Sequence, residues 1–183
     1  MTKIITGTVR RVPHGAPYRH KMNNMSMQEN NINVQYAITA EGLPGEQEIC
    51  QWVGVALKGR REQAELVVRI VDEAEITALN RSYRGKVGAT NVLSFPVELP
   101  AGLPAEIRQS QMGDLLICAP VVAREASEQH RPETDHWAHL TIHGVLHLLG
   151  YDHEQADEAG IMESLETEII AGLGIPDPSL VIA

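Results

Sequence analysis

The stretch His143-Gly-Val-Leu-His147-Leu-Leu-Gly150-Tyr151-Asp152-His153 carries three imidazoles close together in the chain. Side chains four apart stand on one face of a helix, so His143 and His147 can aim two ring nitrogens at a common point. Gly150 tolerates the positive φ that ends a helix and turns the chain, and the turn lets His153 come back as a third ligand. Three neutral imidazoles around one ion leave a fourth position for water, the arrangement of a catalytic zinc site and not of a closed structural one. Zn²⁺ is expected; nickel or copper would accept the same donors. His136 and His139 lie on the same helix, and His139 precedes His143 by four, so a His139/His143 pair is the alternative. The set His143, His147 and His153 is preferred because it gives the glycine turn a purpose. His139 is then a group behind the ligands, and Asp152 either orients a ligand imidazole or caps the helix that follows.

The spacing is similar to the HExxHxxGxxH signature of the metzincin proteases, with one departure. Position 144 is Gly where those enzymes carry the glutamate that deprotonates the attacking water. Loss of a general base costs about 10²–10⁴-fold in rate, which weighs against proteolysis.

Regular elements must hold these residues in place. Asn33 to Ile38 reads as a strand, Glu46 to Leu57 as a helix, and Leu66 to Val71 as a β-branched strand. Asp72 is the N-cap of a helix that Gly85 and Gly88 end. Asn91 to Phe95 is a short strand closed by Pro96. A loop through Pro100, Gly102 and Pro104 leads to a strand from Gly113 to Cys118. Helices are expected from Pro120 to about His130, from about Thr134 to Leu149, and from about Gln155 to Ala171. Interleaved strands and helices predict an α+β fold: a small mixed β-sheet covered by helices, with the metal site on one helix and the turn after it.

Composition bounds the rest. The 183 residues are 43% hydrophobic and 21% charged, ordinary values for a compact globular chain. No apolar run approaches the roughly 18 residues of a membrane span. A net charge of −9 excludes coating of nucleic acid by bulk electrostatics. Residues 1–27 hold five Lys or Arg and no acid, with two Pro and no apolar period, and are expected to be a flexible, dispensable basic extension. A single domain is expected over 28–183. Cys50 and Cys118, far apart and without CxxC spacing, are expected to be packed as small buried hydrophobes in a reducing cytoplasm. His14, His20 and His130 are expected to be solvated.

The block His143 to His153 resembles the HGxLHLxGYDH signature of the YbeY family of bacterial endoribonucleases. Leu79-Asn-Arg-Ser-Tyr83-Arg84-Gly-Lys86, Thr90-Asn-Val-Leu-Ser94-Phe-Pro96, Gly113-Asp114-Leu-Leu-Ile-Cys118 and Met162-Glu-Ser-Leu-Glu166 resemble its other blocks in the same order. The likeness spans roughly Asn33 to Gly174. It implies a metal-dependent hydrolase that cuts single-stranded RNA, with one zinc ion on the three motif histidines in a zincin-like site on the helix and the turn that follows it. It further implies action in maturation of the 3′ end of small-subunit (16S) ribosomal RNA and in ribosome quality control, with ribosomal partners in a bacterial cytoplasm. Many members carry Asp where this chain has Asn91, so no acidic role is assigned there.

Phosphodiester cleavage needs a cation for the charge that develops on phosphorus. Arg84 is the choice, since a guanidinium grips phosphate bidentately and stays ionised. Arg81 and Lys86 beside it are candidate RNA-binding cations. Lys58 to Arg61 serves equally well as a helix C-terminus capped by positive charge. Aromatic residues are 4% of the chain, too few for a broad base-stacking platform. The attacking group, water or the RNA 2′-OH, is left open.

Overall fold

A computed structural model describes residues 30–151 and 156–176. The elements run β1 (Asn31–Tyr36), α1 (Glu46–Leu57), β2 (Glu65–Val71), α2 (Glu73–Arg84), β3 (Val92–Pro96), α3 (Ala105–Ser110), β4 (Gln111–Cys118), α4 (Ala119–Glu128), α5 (Glu133–Leu148) and α6 (Ala156–Gly172). The four strands form one sheet in the order β1-β2-β4-β3. β1, β2 and β4 are parallel, and β3 joins the edge of β4 antiparallel.

Strand side chains alternate between two apolar layers. Leu66, Val68, Ile70, Val92, Leu115 and Ile117 pack with α1, α5 and α6 on one face. Val71, Leu93, Phe95, Leu116 and Cys118 pack with Ile76 of α2 and Val121 of α4 on the other. A strand covered on both sides is largely apolar, and β2 carries Leu66, Val67, Val68, Ile70 and Val71, with Glu65 at its start and Arg69 paired to Glu75. α5 is the central helix. It buries Trp137, Ile142, Val145 and Leu146 to 1% exposure or less, each worth about 1.5–3 kcal/mol of transfer free energy.

Two glycines set how closely these pieces approach. Gly113 has φ +129, and a Cβ there would stand 2.0 Å from the Phe95 carbonyl oxygen of the neighbouring strand. It follows Met112, which β4 bulges out of register as Leu66 pairs with Gly113. Gly144 is the point where α5 crosses β4, and a Cβ there would lie 2.2 Å from Leu115 Cδ1. Beside it the buried Ser94 hydroxyl of β3 donates to the Gly144 carbonyl at 3.1 Å.

Several expected boundaries shift. β1 starts and ends two residues earlier than expected, because Asn31 N–H donates to the Ala64 carbonyl and so opens the β1–β2 register. α3 was expected to be loop. Its six residues are mostly exposed and have no apolar period that would mark a helix. Cys118 is buried as expected, and burial pushes its thiol up to about 11; Cys50 is only half-buried. The expected extension 1–27 lies outside the described residues. Among these, no helix is long and apolar enough to cross a membrane.

Candidate metal centre

α5 lines up His136, His139, His143 and His147 at spacings of three, four and four. His147 is fully buried, while the His143 side chain keeps 16% exposure, so one imidazole is locked in the interior and its neighbour reaches the surface. The rings of His143 and His147 meet nearly perpendicular, with centroids 4.6 Å apart. Their Nε2 atoms are 3.2 Å apart. Two nitrogens bound tetrahedrally at about 2.0–2.1 Å to zinc stand roughly 3.3–3.4 Å from each other, so this separation fits one shared ion.

What holds the rings fixes their tautomers. A neutral imidazole has one donor and one acceptor nitrogen. The last turn of α5 closes as a Schellman motif, with Gly150 N–H donating to the His147 carbonyl at 3.0 Å and Tyr151 N–H to the Leu146 carbonyl at 3.1 Å. Gly150, at φ +95, allows this. The turn carries the Tyr151 carbonyl back over the helix, where His147 Nδ1 lies 3.0 Å from it. A carbonyl only accepts, so that nitrogen carries the proton and Nε2 presents a lone pair. His143 Nδ1 lies 3.3 Å from Glu166 Oε2 on α6, which likewise places the proton on Nδ1 and the lone pair on Nε2. Two lone pairs facing each other call for a cation, and the donor set fits zinc.

Glu166 also approaches His139, whose Nε2 is 2.6 Å from Oε1. Burial pushes the Glu166 carboxyl up, but hydrogen bonds from His139 and His143 outweigh it and bring the group down to about 2. His139 Nδ1 lies 3.4 Å from Arg131 Nη1. His139, His143 and Glu166 thus form a second trio of ligand-type atoms, all within 4.8 Å of one another.

The other sequence candidates stand on other elements. Arg84 is the last residue of α2, half-buried, and burial draws its guanidinium below its usual value without discharging it. Arg81 and Lys86 are exposed at the same helix end. The turn after them is pinned by Asn80, whose amide donates to the Gly88 carbonyl at 2.9 Å. α2 lies against the sheet face opposite α5. Arg60 Nη1 donates to the Ala56 and Lys58 carbonyls, the capping arrangement expected of that run. His130 is exposed. Asp152, His153, His14 and His20 lie outside the described residues.

Two features were not anticipated. Asn91 Oδ1 accepts from Val92 N–H at 2.8 Å, while its amide donates to Glu125 at 3.0 Å. Glu125 in turn lies 2.7 Å from His136 Nε2, so Asn91 ties β3 to α4 and α5. Glu166 is the other. It stands in a sequence block singled out above, and the inward spacing of Met162, Glu166 and Ile170 marked it as a carboxylate on a buried face.

The family model "Endoribonuclease YbeY" matches residues 24–174. The chain belongs to the YbeY family. The match starts within the basic N-terminal segment and runs to Gly174. Proteins named Endoribonuclease YbeY from Xanthomonas campestris pv. campestris strain B100 and from Stenotrophomonas maltophilia strain K279a are 57% and 56% identical to it over 147 residues, 80% of this chain and 91% of theirs. One from Xanthomonas axonopodis pv. citri is 58% identical with the same coverage. Among solved structures, TM1509 from Thermotoga maritima, determined in solution, superposes with a TM-score of 0.51 at 23% identity, covering 78% of this chain and 91% of its own. That likeness shows a shared fold.

Proposed function

We propose that this member of the YbeY family is a zinc-dependent endoribonuclease specific for single-stranded RNA. On this reading it acts in the cytoplasm on the 3′ end of small-subunit ribosomal RNA and in ribosome quality control, with ribosomal components as partners. The observation that carries the metal reading is the approach of the His143 and His147 Nε2 atoms to 3.2 Å, with an acceptor on the Nδ1 of each ring. His153 is the proposed third ligand, with Asp152 beside it. The names of its relatives support the activity.

When bound, the ion supplies Lewis acidity toward a phosphoryl oxygen. The chain's own groups do the rest. Tyr151 and Glu166 keep the two imidazoles aimed. Arg84 is the proposed catalytic cation, its planar fork held for the charge that develops on phosphate. Arg81 and Lys86 draw the RNA strand to an otherwise acidic chain. Residues 28–183 constitute the working domain, and 1–27 are dispensable.

A metzincin-like protease is disfavoured by packing as well as by sequence. A side chain at 144 would run into Leu115. Position 144 therefore serves helix–sheet contact, and it has no room for the base that proteolysis requires. The test is metal analysis of the purified protein, followed by incubation with single-stranded RNA and with casein, each with and without chelator. RNA cleavage lost on chelation and on Arg84→Ala supports the reading. Cleavage of casein alone overturns it, and no cleavage from a zinc-loaded protein points to a non-catalytic assembly factor. Product ends separate water from 2′-OH attack.

A further inference from the structure

We infer that Glu166 is the positioning residue of the metal centre: its carboxylate holds the Nδ1–H of His143, so that Nε2 faces His147, and it does not itself ligate the ion. The inference rests on the metal-centre reading above and deepens it. His143 has two nitrogens directed at different neighbours, Nε2 at His147 Nε2, 3.2 Å away, and Nδ1 at Glu166 Oε2, 3.3 Å away. An ion shared with His147 cannot also be shared with Glu166 through the same imidazole lone pair, so the two trios compete.

The state of His139 decides between them. Arg131 Nη1 can only donate, and the nitrogen 3.4 Å from it is His139 Nδ1, which therefore accepts. The His139 proton then sits on Nε2, the atom 2.6 Å from Glu166 Oε1. A protonated nitrogen has no lone pair to give a metal. His139 thus turns a protonated Nε2 toward Glu166 Oε1 while His143 Nδ1–H meets Oε2, so the two imidazoles converge on one carboxylate, with Arg131 behind His139. Carboxylates that accept a ligand imidazole's second N–H fix its ring and raise its basicity, and their removal costs about 10–100-fold in metal affinity.

Glu166 stands at a largely buried position. It lies on the inward face of α6 between Met162 and Ile170, 1% and 0% exposed, where solubility gains nothing from a carboxylate. A buried carboxylate is retained when its partners need it.

The experiment measures zinc affinity by chelator competition in the full chain, together with the ring N–H proton of His143 by NMR in the zinc-loaded protein. Glu166→Leu should bind zinc about 10–100-fold more weakly and lose the downfield, slowly exchanging His143 Nδ1–H signal. Glu166→Gln, which keeps the shape and one acceptor, should bind about tenfold more weakly and keep a weakened signal; it serves as the test should the leucine variant not fold. Zinc affinity unchanged in the folded variants while His147→Ala loses zinc overturns this inference alone. Loss of all zinc from Glu166→Leu and His139→Ala with retention in His147→Ala makes Glu166 a ligand and overturns the inference and the ligand set together.

Discussion

Replacing Gly144 by Ala puts one methyl group where α5 touches β4. The added Cβ would stand 2.2 Å from Leu115 Cδ1 and 3.2 Å from Cδ2, and Leu115 is fully buried, so it cannot swing into solvent. Overpacking of this kind costs about 1–3 kcal/mol. Alanine recovers roughly 0.8–1 kcal/mol of helix propensity, which leaves a net loss of about 1 kcal/mol. Leu115→Ala alone should cost about 3 kcal/mol, within the range for a buried leucine. In the double variant the methyl enters the vacated space and the propensity gain stands unopposed. The pair should therefore lose only about 2 kcal/mol where the sum of singles is about 4. Urea unfolding with excess chelator, which keeps metal linkage out of the comparison, measures all four proteins. Unchanged m-values would confirm that the denatured states match. Additivity within about 0.5 kcal/mol would refute the claim that glycine is present at 144 for close helix–strand approach.

His147→Ala should remove stoichiometric zinc, as metal analysis will report, and chelator should lower the melting temperature of the parent but not of the variant. Arg84→Ala should keep zinc content and melting temperature near the parent's while RNA cleavage falls about 10²–10³-fold in single-turnover assays; Arg84→Lys should restore part of the rate. The Glu125 carboxyl is pushed up by burial, but hydrogen bonds from His136 and Asn91 hold it on balance below its ordinary 4.5. Its contribution is therefore present above about pH 4.5 and lost as pH falls through the lowered value. Glu125→Gln should accordingly be less stable than the parent at pH 7 and converge with it in acid, and a urea midpoint independent of pH between the two would contradict this.

The helices that build the site were legible because each carries its own punctuation. Asp72 caps α2 through Glu75 N–H at 2.8 Å, and Gly85 ends it at φ +62, as their types require. α5 was legible from its apolar residues, and its four histidines from spacing alone. α3 was not, since six mostly exposed residues leave no period to detect. The His143/His147 pair could be read from i, i+4 geometry, but what orients it could not. Glu166 is nineteen positions beyond His147 in the chain, and only the packing of α6 on α5 brings them together. Gly150 illustrates a partial reading. The turn was expected to serve His153, and what it delivers among the described residues is the Tyr151 carbonyl to His147.

Gly113 has a consequence for mutational surveys. Its φ of +129 and the 2.0 Å approach of a Cβ to the Phe95 carbonyl forbid any side chain where β4 meets the edge strand that reaches α5 through Ser94. In a saturation screen scored on RNA cleavage alone, position 113 will show the intolerance profile of a reacting group although it has no functional atoms. Scoring cellular abundance in parallel separates the two cases: substitutions at 113 will deplete the folded protein itself, whereas changes at Arg84 will leave its amount intact and silence it.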